Sequence, residues 1–315
     1  MLIALLLVAG FTALYFGAEW LVRGSSDLAL RLGLTPLLVG LTVVAYGTSA
    51  PELIVSLAAA WHGQGDIALG NAIGSNLVNL GLILGLAALI CPLRVQLQLL
   101  KIDTPVMVGS ALLFLVLFQD HRITRWEAAV FVVLLIVYTA LNIRIARSQG
   151  NPEVESEFAE ALPKSQKSLG VCVVFVLLGL AGLALGARLF VEGATQLAQL
   201  MGISEAVIGL TIVAIGTSLP ELITSVVAAL RGQPDIAVGN LVGSTICNIL
   251  AIVGFSGVLT STLTAPGIQM FNVILMAVYC VVVMLIAWTG FRVVRWEGAL
   301  LLAGYVGYLI WLWPR

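Results

Sequence analysis

Gly40-Leu41-Thr42-Val43-Val44-Ala45-Tyr46-Gly47-Thr48-Ser49-Ala50-Pro51-Glu52 recurs 169 positions later as Gly209-Leu210-Thr211-Ile212-Val213-Ala214-Ile215-Gly216-Thr217-Ser218-Leu219-Pro220-Glu221. Ten of the thirteen positions are identical. Each copy lies inside a long apolar run and ends on a carboxylate, Glu52 or Glu221. An ionisable group in such a run is expensive to bury and marks a functional site by default.

The composition says what surrounds the two copies. Hydrophobic residues make up 60% of the chain, charged residues 10%, and the mean hydropathy is +1.09. Soluble domains carry about 25% charged residues, so this is a polytopic membrane protein. Its fifteen Lys and Arg are scattered, which leaves no basic footprint for nucleic acid. Cys91, Cys172, Cys247 and Cys280 form no CxxC pair, and His62 and His121 fall in loops. A zinc or haem centre is thereby disfavoured, and the cysteines read as small buried hydrophobes.

A bilayer-crossing helix needs about 20 apolar residues. On that rule, spans are expected near 2–22, 36–60, 66–90, 104–119, 125–146, 168–190, 206–230, 236–260, 268–289 and 295–313. The first lacks a basic leader and a good cleavage site, so it reads as a helix and not as a removed signal peptide. The polar stretch 148–167 is expected to be a solvated linker between two halves, 1–147 and 168–315. Its Glu153, Glu155, Glu157 and Glu160 lack an EF-hand pattern. Eleven Lys and Arg fall in the odd-numbered loops and linker against four on the other side. The positive-inside rule then places the odd loops in the cytoplasm and both termini outside.

The duplication extends beyond the opening stretch. Gly17-Ala18 matches Gly186-Ala187, and Arg122-x-x-Arg125-Trp126-Glu127 matches Arg292-x-x-Arg295-Trp296-Glu297. Five spans per half is an odd number, so the second half is expected upside down relative to the first. Inverted repeats of this kind are a transporter signature, with the binding site near the midplane.

In each copy a proline removes a backbone donor and clashes with the carbonyl four residues back. Broken backbone deep in a membrane is tolerated only where it is buried in protein or lines a wet cavity. Thr48 and Ser49 precede Glu52 by four and three residues and share its helix face; Thr217 and Ser218 do the same for Glu221. A second paired block follows. Gly70-Asn71-x-x-Gly74-Ser75-Asn76-x-x-Asn79 opens the third span, and Gly239-Asn240-x-x-Gly243-Ser244-Thr245-x-x-Asn248 opens the eighth. The glycine spacing suits close helix approach, while Ser75 with Asn79 and Ser244 with Asn248 stand four apart on one face. At about 1.5 Å per residue these groups and the glutamates reach the middle of the bilayer. Carboxylates, carboxamides, hydroxyls and carbonyls without sulfur or imidazole form a hard-cation set, and two negative charges match one Ca2+ with its 6–8 oxygens.

Gly-Thr-Ser-x-Pro-Glu twice, each followed by Gly-Asn-x-x-Gly-Ser, resembles the paired repeats of the calcium/cation antiporter superfamily, and most closely its prokaryotic sodium/calcium exchangers. The resemblance implies ten helices, extracellular termini, and ion sites between helices 2, 3, 7 and 8. It also implies Na+/Ca2+ exchange by alternating access, with helices 1 and 6 sliding over the rest. Calcium ligands are implied at Glu52, Glu221, Thr48 and Thr217. Sodium ligands are implied at Ala45, Ser49, Ser75, Asn79, Ala214, Ser218, Ser244 and Asn248. Some members carry an aspartate where this chain has Asn248, which leaves the expectation of no third acid inside the membrane. No cofactor and no obligate protein partner are implied; Ca2+ and Na+ are substrates. H+/Ca2+ exchange stays open because buried glutamates can carry protons, as does a cation channel with the glutamates at a constriction. An intramembrane protease is remote, with no histidine in a span and no aspartate deep in one.

Overall fold

The structure is a computed structural model that describes residues 2–32, 34–148, 168–201 and 214–312. Its helices in chain order are α1 (Leu2–Leu32), α2 (Pro36–Thr48), α3 (Ala50–Trp61), α4 (Gly65–Ile90), α5 (Leu99–Leu117) and α6 (Arg125–Ser148). The second series is α7 (Leu169–Leu200), α8 (Ala214–Thr217), α9 (Leu219–Leu230), α10 (Pro234–Leu259), α11 (Met270–Gly290) and α12 (Arg295–Leu312). Seven of these are long and apolar enough to cross a membrane, or eight if α2 and α3 count as one bent span. Residues 149–167 of the expected 148–167 linker and the first part of the expected seventh span, 206–213, lie outside the described residues.

Two helices are longer than hydropathy suggests. α1 has 31 residues and α7 has 32, against the expected 2–22 and 168–190. At 1.5 Å per residue each is roughly 46–48 Å long, more than a hydrocarbon core of about 30 Å, so they tilt or project from it. Apolar runs mark only the lipid-buried part of a helix. The polar turns after it, here through Arg23, Asp27 and Arg31, continue the same hydrogen-bond ladder.

The two long helices pack antiparallel through glycines spaced seven apart, Gly10, Gly17 and Gly24 on α1 against Gly179, Gly186 and Gly193 on α7. A Cβ on Gly17 would lie 2.7 Å from the Leu183 nitrogen, and one on Gly186 would lie 2.6 Å from that of Leu14. The backbones therefore touch, as small residues permit in helix pairs that lack a hydrophobic driving force. Within α10, Gly239 and Gly243 let the Leu37 and Leu41 carbonyls approach in the same way. The repeat-related approach expected at Gly70 and Gly74 would fall on residues 206–210, outside the described set. α10 is the central element, with its whole membrane-length window buried.

Short strands clasp the two series together. β1 (Leu93–Arg94) pairs antiparallel with β4 (Arg292–Val293), and β2 (Arg122–Thr124) pairs with β3 (Thr262–Thr264). Each clasp takes one strand from a loop of each half. The repeated Arg-x-x-Arg-Trp-Glu sequence explains itself here. Glu127 caps α6 by accepting from the Thr124 backbone and hydroxyl at 2.8 and 2.7 Å, and Glu297 accepts from the Val294 nitrogen at 2.8 Å before α12. These glutamates satisfy helix N-termini.

Two further acids are buried on helices long and apolar enough to cross a membrane. Glu19, within the first apolar run, is buried on α1 and pairs at 2.6 Å with both Arg23 and Arg231. α5 begins five residues before the expected span, which places Asp103 on that helix. Asp103 is fully buried and accepts from the Tyr138 hydroxyl at 2.8 Å. A bulky residue at the α1–α7 contact has nowhere to go. Gly17→Val is expected to cost about 1–3 kcal/mol, read as earlier thermal unfolding in detergent. Gly170→Ala, where an added Cβ meets nothing within 4 Å, should leave the transition in place.

Candidate functional site

The chain breaks at the two serines. Ser49 (φ −83°, ψ 0°) ends α2, and α3 restarts at Ala50 with Pro51 in its first turn, bent by 44°. Ser218 (φ −90°, ψ 8°) does the same between α8 and α9, with Pro220 in the first turn of α9. Proline suits that position because the first turn has no intrahelical use for its missing N–H. Each glutamate is thereby placed in the first turn of a helix whose N-terminus lies inside the protein. There the helix dipole favours a negative charge.

The two carboxylates are held by the opposite half. Ser49 Oγ donates to Glu221 Oε1 at 3.0 Å, and Ser218 Oγ donates to Glu52 Oε1 at 3.4 Å. Glu52 and Glu221 are each 1% exposed and close enough to repel one another. Among the described residues no basic group acts on either. A π-helical turn at Val78–Ile83 of α4 carries Asn79 and packs on α9; another at Asn248–Val253 of α10 carries Asn248 and packs on α3. Such turns are frequent at functional sites because they interrupt the regular ladder.

Four buried oxygens of this constellation have no donor among the described residues: Glu52 Oε2, Glu221 Oε2, Asn79 Oδ1 and Asn248 Oδ1. An unsatisfied buried polar group costs about 1–3 kcal/mol, and more when charged. Four acceptors on one constellation, two of them carboxylate oxygens, are a chemistry that a cation resolves at once.

The other expected ligands surround this set. Thr48 is buried, and its hydroxyl contacts Asn240 Oδ1 at 3.0 Å and the Ala45 carbonyl at 3.3 Å. Ser244 Oγ reaches the same Ala45 carbonyl at 3.4 Å. Ser75 is buried on α4 and Thr217 half-buried on α8. Ala214 opens α8, and its side chain is not among those described.

Several polar residues of the site were not singled out from sequence. Asn71 Nδ2 donates to the Glu52 carbonyl at 3.0 Å and to Ser56 Oγ at 2.9 Å. Asn240 Nδ2 donates to Ser225 Oγ at 3.0 Å. Ser56 and Ser225 occupy matching repeat positions four residues after each glutamate, a signal that was available. Cys247, next to Asn248, is buried.

The family model described as sodium/calcium exchanger protein matches the chain twice, over residues 2–144 and 171–313. The chain belongs to that family. It is 33% identical over 341 aligned residues to the sodium/calcium exchanger MaX1 of Methanosarcina acetivorans, covering 97% of each chain. It is 36% identical to the putative antiporter CaxA of Alkalimonas amylolytica, covering 98% of each. Among solved structures, the sodium-calcium exchanger NCX_Mj soaked without Na+ and Ca2+ superposes with a TM-score of 0.86, at 32% identity and 99% coverage of both chains. The relatives are exchangers and antiporters, transporters in place of enzymes. The chain is accordingly an all-helical, multi-pass integral membrane protein of the same fold.

The Asn240 bridge between α10, α2 and α9 has a measurable worth. Asn240→Ala removes the partner of the buried Ser225 hydroxyl and leaves Thr48 with the Ala45 carbonyl alone, and is expected to lower thermal stability by about 1–3 kcal/mol. Ser225→Ala removes one bond from the same bridge and should cost less. An unchanged melting transition in Asn240→Ala would show that the bridge contributes nothing.

Proposed function

We propose that this protein is a secondary active antiporter that exchanges Ca2+ for Na+ by alternating access. The observation that carries the reading is the set of four unpartnered oxygens on Glu52, Glu221, Asn79 and Asn248. All are hard donors, and the two carboxylates match the charge of one Ca2+. Thr48 and Thr217 join the glutamates as calcium ligands through their backbone oxygens. Sodium uses overlapping sites that add Ser49, Ser218, Ser75, Ser244, Asn79, Asn248, Ala45 and Ala214. The twofold family match, the crossed serine–glutamate bonds and the paired strand clasps support an arrangement of ten spans in two inverted halves, 1–147 and 168–315, around the 148–167 linker. The Lys/Arg asymmetry supports an orientation with both termini outward, and the similarity to prokaryotic relatives supports an inner-membrane location.

On this reading the buried charge makes exchange obligatory. With both glutamates ionised and no cation bound, a charge of −2 would have to be carried through the protein interior as access switches. Burying such charge costs several kcal/mol per ion, so only loaded forms switch. Overlapping sites keep Ca2+ and Na+ from being carried together, and each half-cycle returns the competing ion.

Reconstitution in proteoliposomes tests this directly. An imposed Na+ gradient should drive 45Ca2+ uptake in the wild type, and Glu52→Gln or Glu221→Gln should abolish it. Full flux in either variant removes the site assignment. Uptake driven by a pH gradient alone, without Na+, would instead identify the protein as an H+/Ca2+ antiporter on the same scaffold.

A further inference from the structure

The two halves differ at one contact beside the cation site. In α10, Asn248 Nδ2 donates to Asn76 Oδ1 at 3.1 Å, and Asn76 Nδ2 donates in turn to the Met276 sulfur at 3.4 Å. Asn76 is fully buried and Met276 is 1% exposed. The residue that matches Asn76 in the second half is Thr245, whose hydroxyl is used within its own helix, donating to the Leu241 carbonyl at 2.8 Å. Asn248 therefore has a side-chain clamp that the repeat does not supply to Asn79.

The clamp has a direction. The two ends of a carboxamide have the same shape, and only its oxygen can bind a cation. A thioether has no proton to give and acts only as a weak acceptor, so Met276 draws the nitrogen end of Asn76 towards itself. That leaves Asn76 Oδ1 facing Asn248, and an acceptor there draws the nitrogen end of Asn248. The result is that Asn248 Oδ1 faces away from the clamp and has no donor. Reversing Asn76 would put its oxygen against the sulfur and turn the Asn248 NH2 group towards the cation.

We propose that Asn76, oriented by Met276, is a positioning residue that fixes the Asn248 carboxamide with its oxygen towards the cation site and thereby sets the affinity for Na+. The proposal rests on the antiporter reading and specifies which ion of that reading the clamp serves. Asn76 itself touches no ion. It acts as outer partners of metal ligands do, whose removal typically weakens binding about 10- to 100-fold.

The test uses purified full-length protein and equilibrium 45Ca2+ binding, with Ca2+ held at the Kd of each variant and displaced by Na+. In Asn76→Leu the Na+ concentration for half-displacement should rise about 10- to 100-fold. Met276→Leu, which conserves volume, should shift it in the same direction by less. A carboxylate presents an oxygen at both ends and needs no clamp, so adding Asn248→Asp to either variant should restore Na+ binding. A general packing defect would not be rescued in this way. Unchanged Na+ displacement in both single variants, or failure of Asn248→Asp to restore it, overturns the clamp. Glu52→Gln keeps the two ideas apart. Loss of 45Ca2+ binding there with no effect of Asn76→Leu sinks the clamp alone, whereas retained binding in Glu52→Gln sinks the cation-site reading and the clamp with it.

Discussion

Two buried carboxylates without a basic partner among the described residues are the constraint on which the rest of this structure depends. An ion taken out of water costs several kcal/mol even after relaxation, and Glu52 and Glu221 also repel. The protein offsets part of that cost without neutralising the charge. Each carboxylate sits at a helix N-terminus created by a proline-led restart and takes one hydroxyl from the opposite half. What these interactions leave over is one acceptor oxygen on each glutamate. A lysine in the same place would satisfy the charge permanently and leave nothing for a mobile ion to do. Glu19 shows that alternative in the same molecule, because Arg23 and Arg231 hold it in an ion pair.

The crossed contacts mean that neither half contains a finished site. Ser49 serves Glu221 and Ser218 serves Glu52, while the clasps β1–β4 and β2–β3 tie loops of one half to loops of the other. The α1–α7 pair is held on another principle. Its glycines bring two backbones into contact along a smooth surface, whereas the site helices are locked by directional bonds such as Asn240 to Ser225. A smooth contact and a bonded one differ in what they permit. The first has few directional bonds to break when a helix pair moves as a body, and the second keeps its ligands in register.

Much of the site was legible because the chain repeats itself. The duplicated Gly-Thr-Ser-x-Pro-Glu stretch picked out the glutamates, the serines and the break, and the all-oxygen donor set pointed to a hard cation. The misses have physical causes. Hydropathy locates lipid contact and not helix length, so α1 and α7 were read short. It also read straight through Glu19, because one acid among many apolar residues barely changes a window average. Asp103 fell one residue outside an expected span, where a π-helical turn extends α5. Asn71, Asn76 and Asn240 lay in a block whose glycines drew attention to packing, and their partners sit on other helices. Asn248 and Met276 are far from Asn76 in sequence, so no local pattern announces the chain of bonds that joins them.

The imperfection of the repeat is itself informative. If two halves of an inverted pair were identical, swapping their conformations would give two states of equal energy, one open to each side. A ligand can shift such an equilibrium only by binding the two states differently. In this chain the glutamates, the serines and the prolines are duplicated, while Asn76 and Thr245 are not. The conserved symmetry falls on groups that must serve the site in either state. The broken symmetry falls one step behind a ligand, where it can tune one carboxamide without moving the carboxylates. Under the proposed exchange, that is where a preference between ions or between states can be set at least cost to the site both states share.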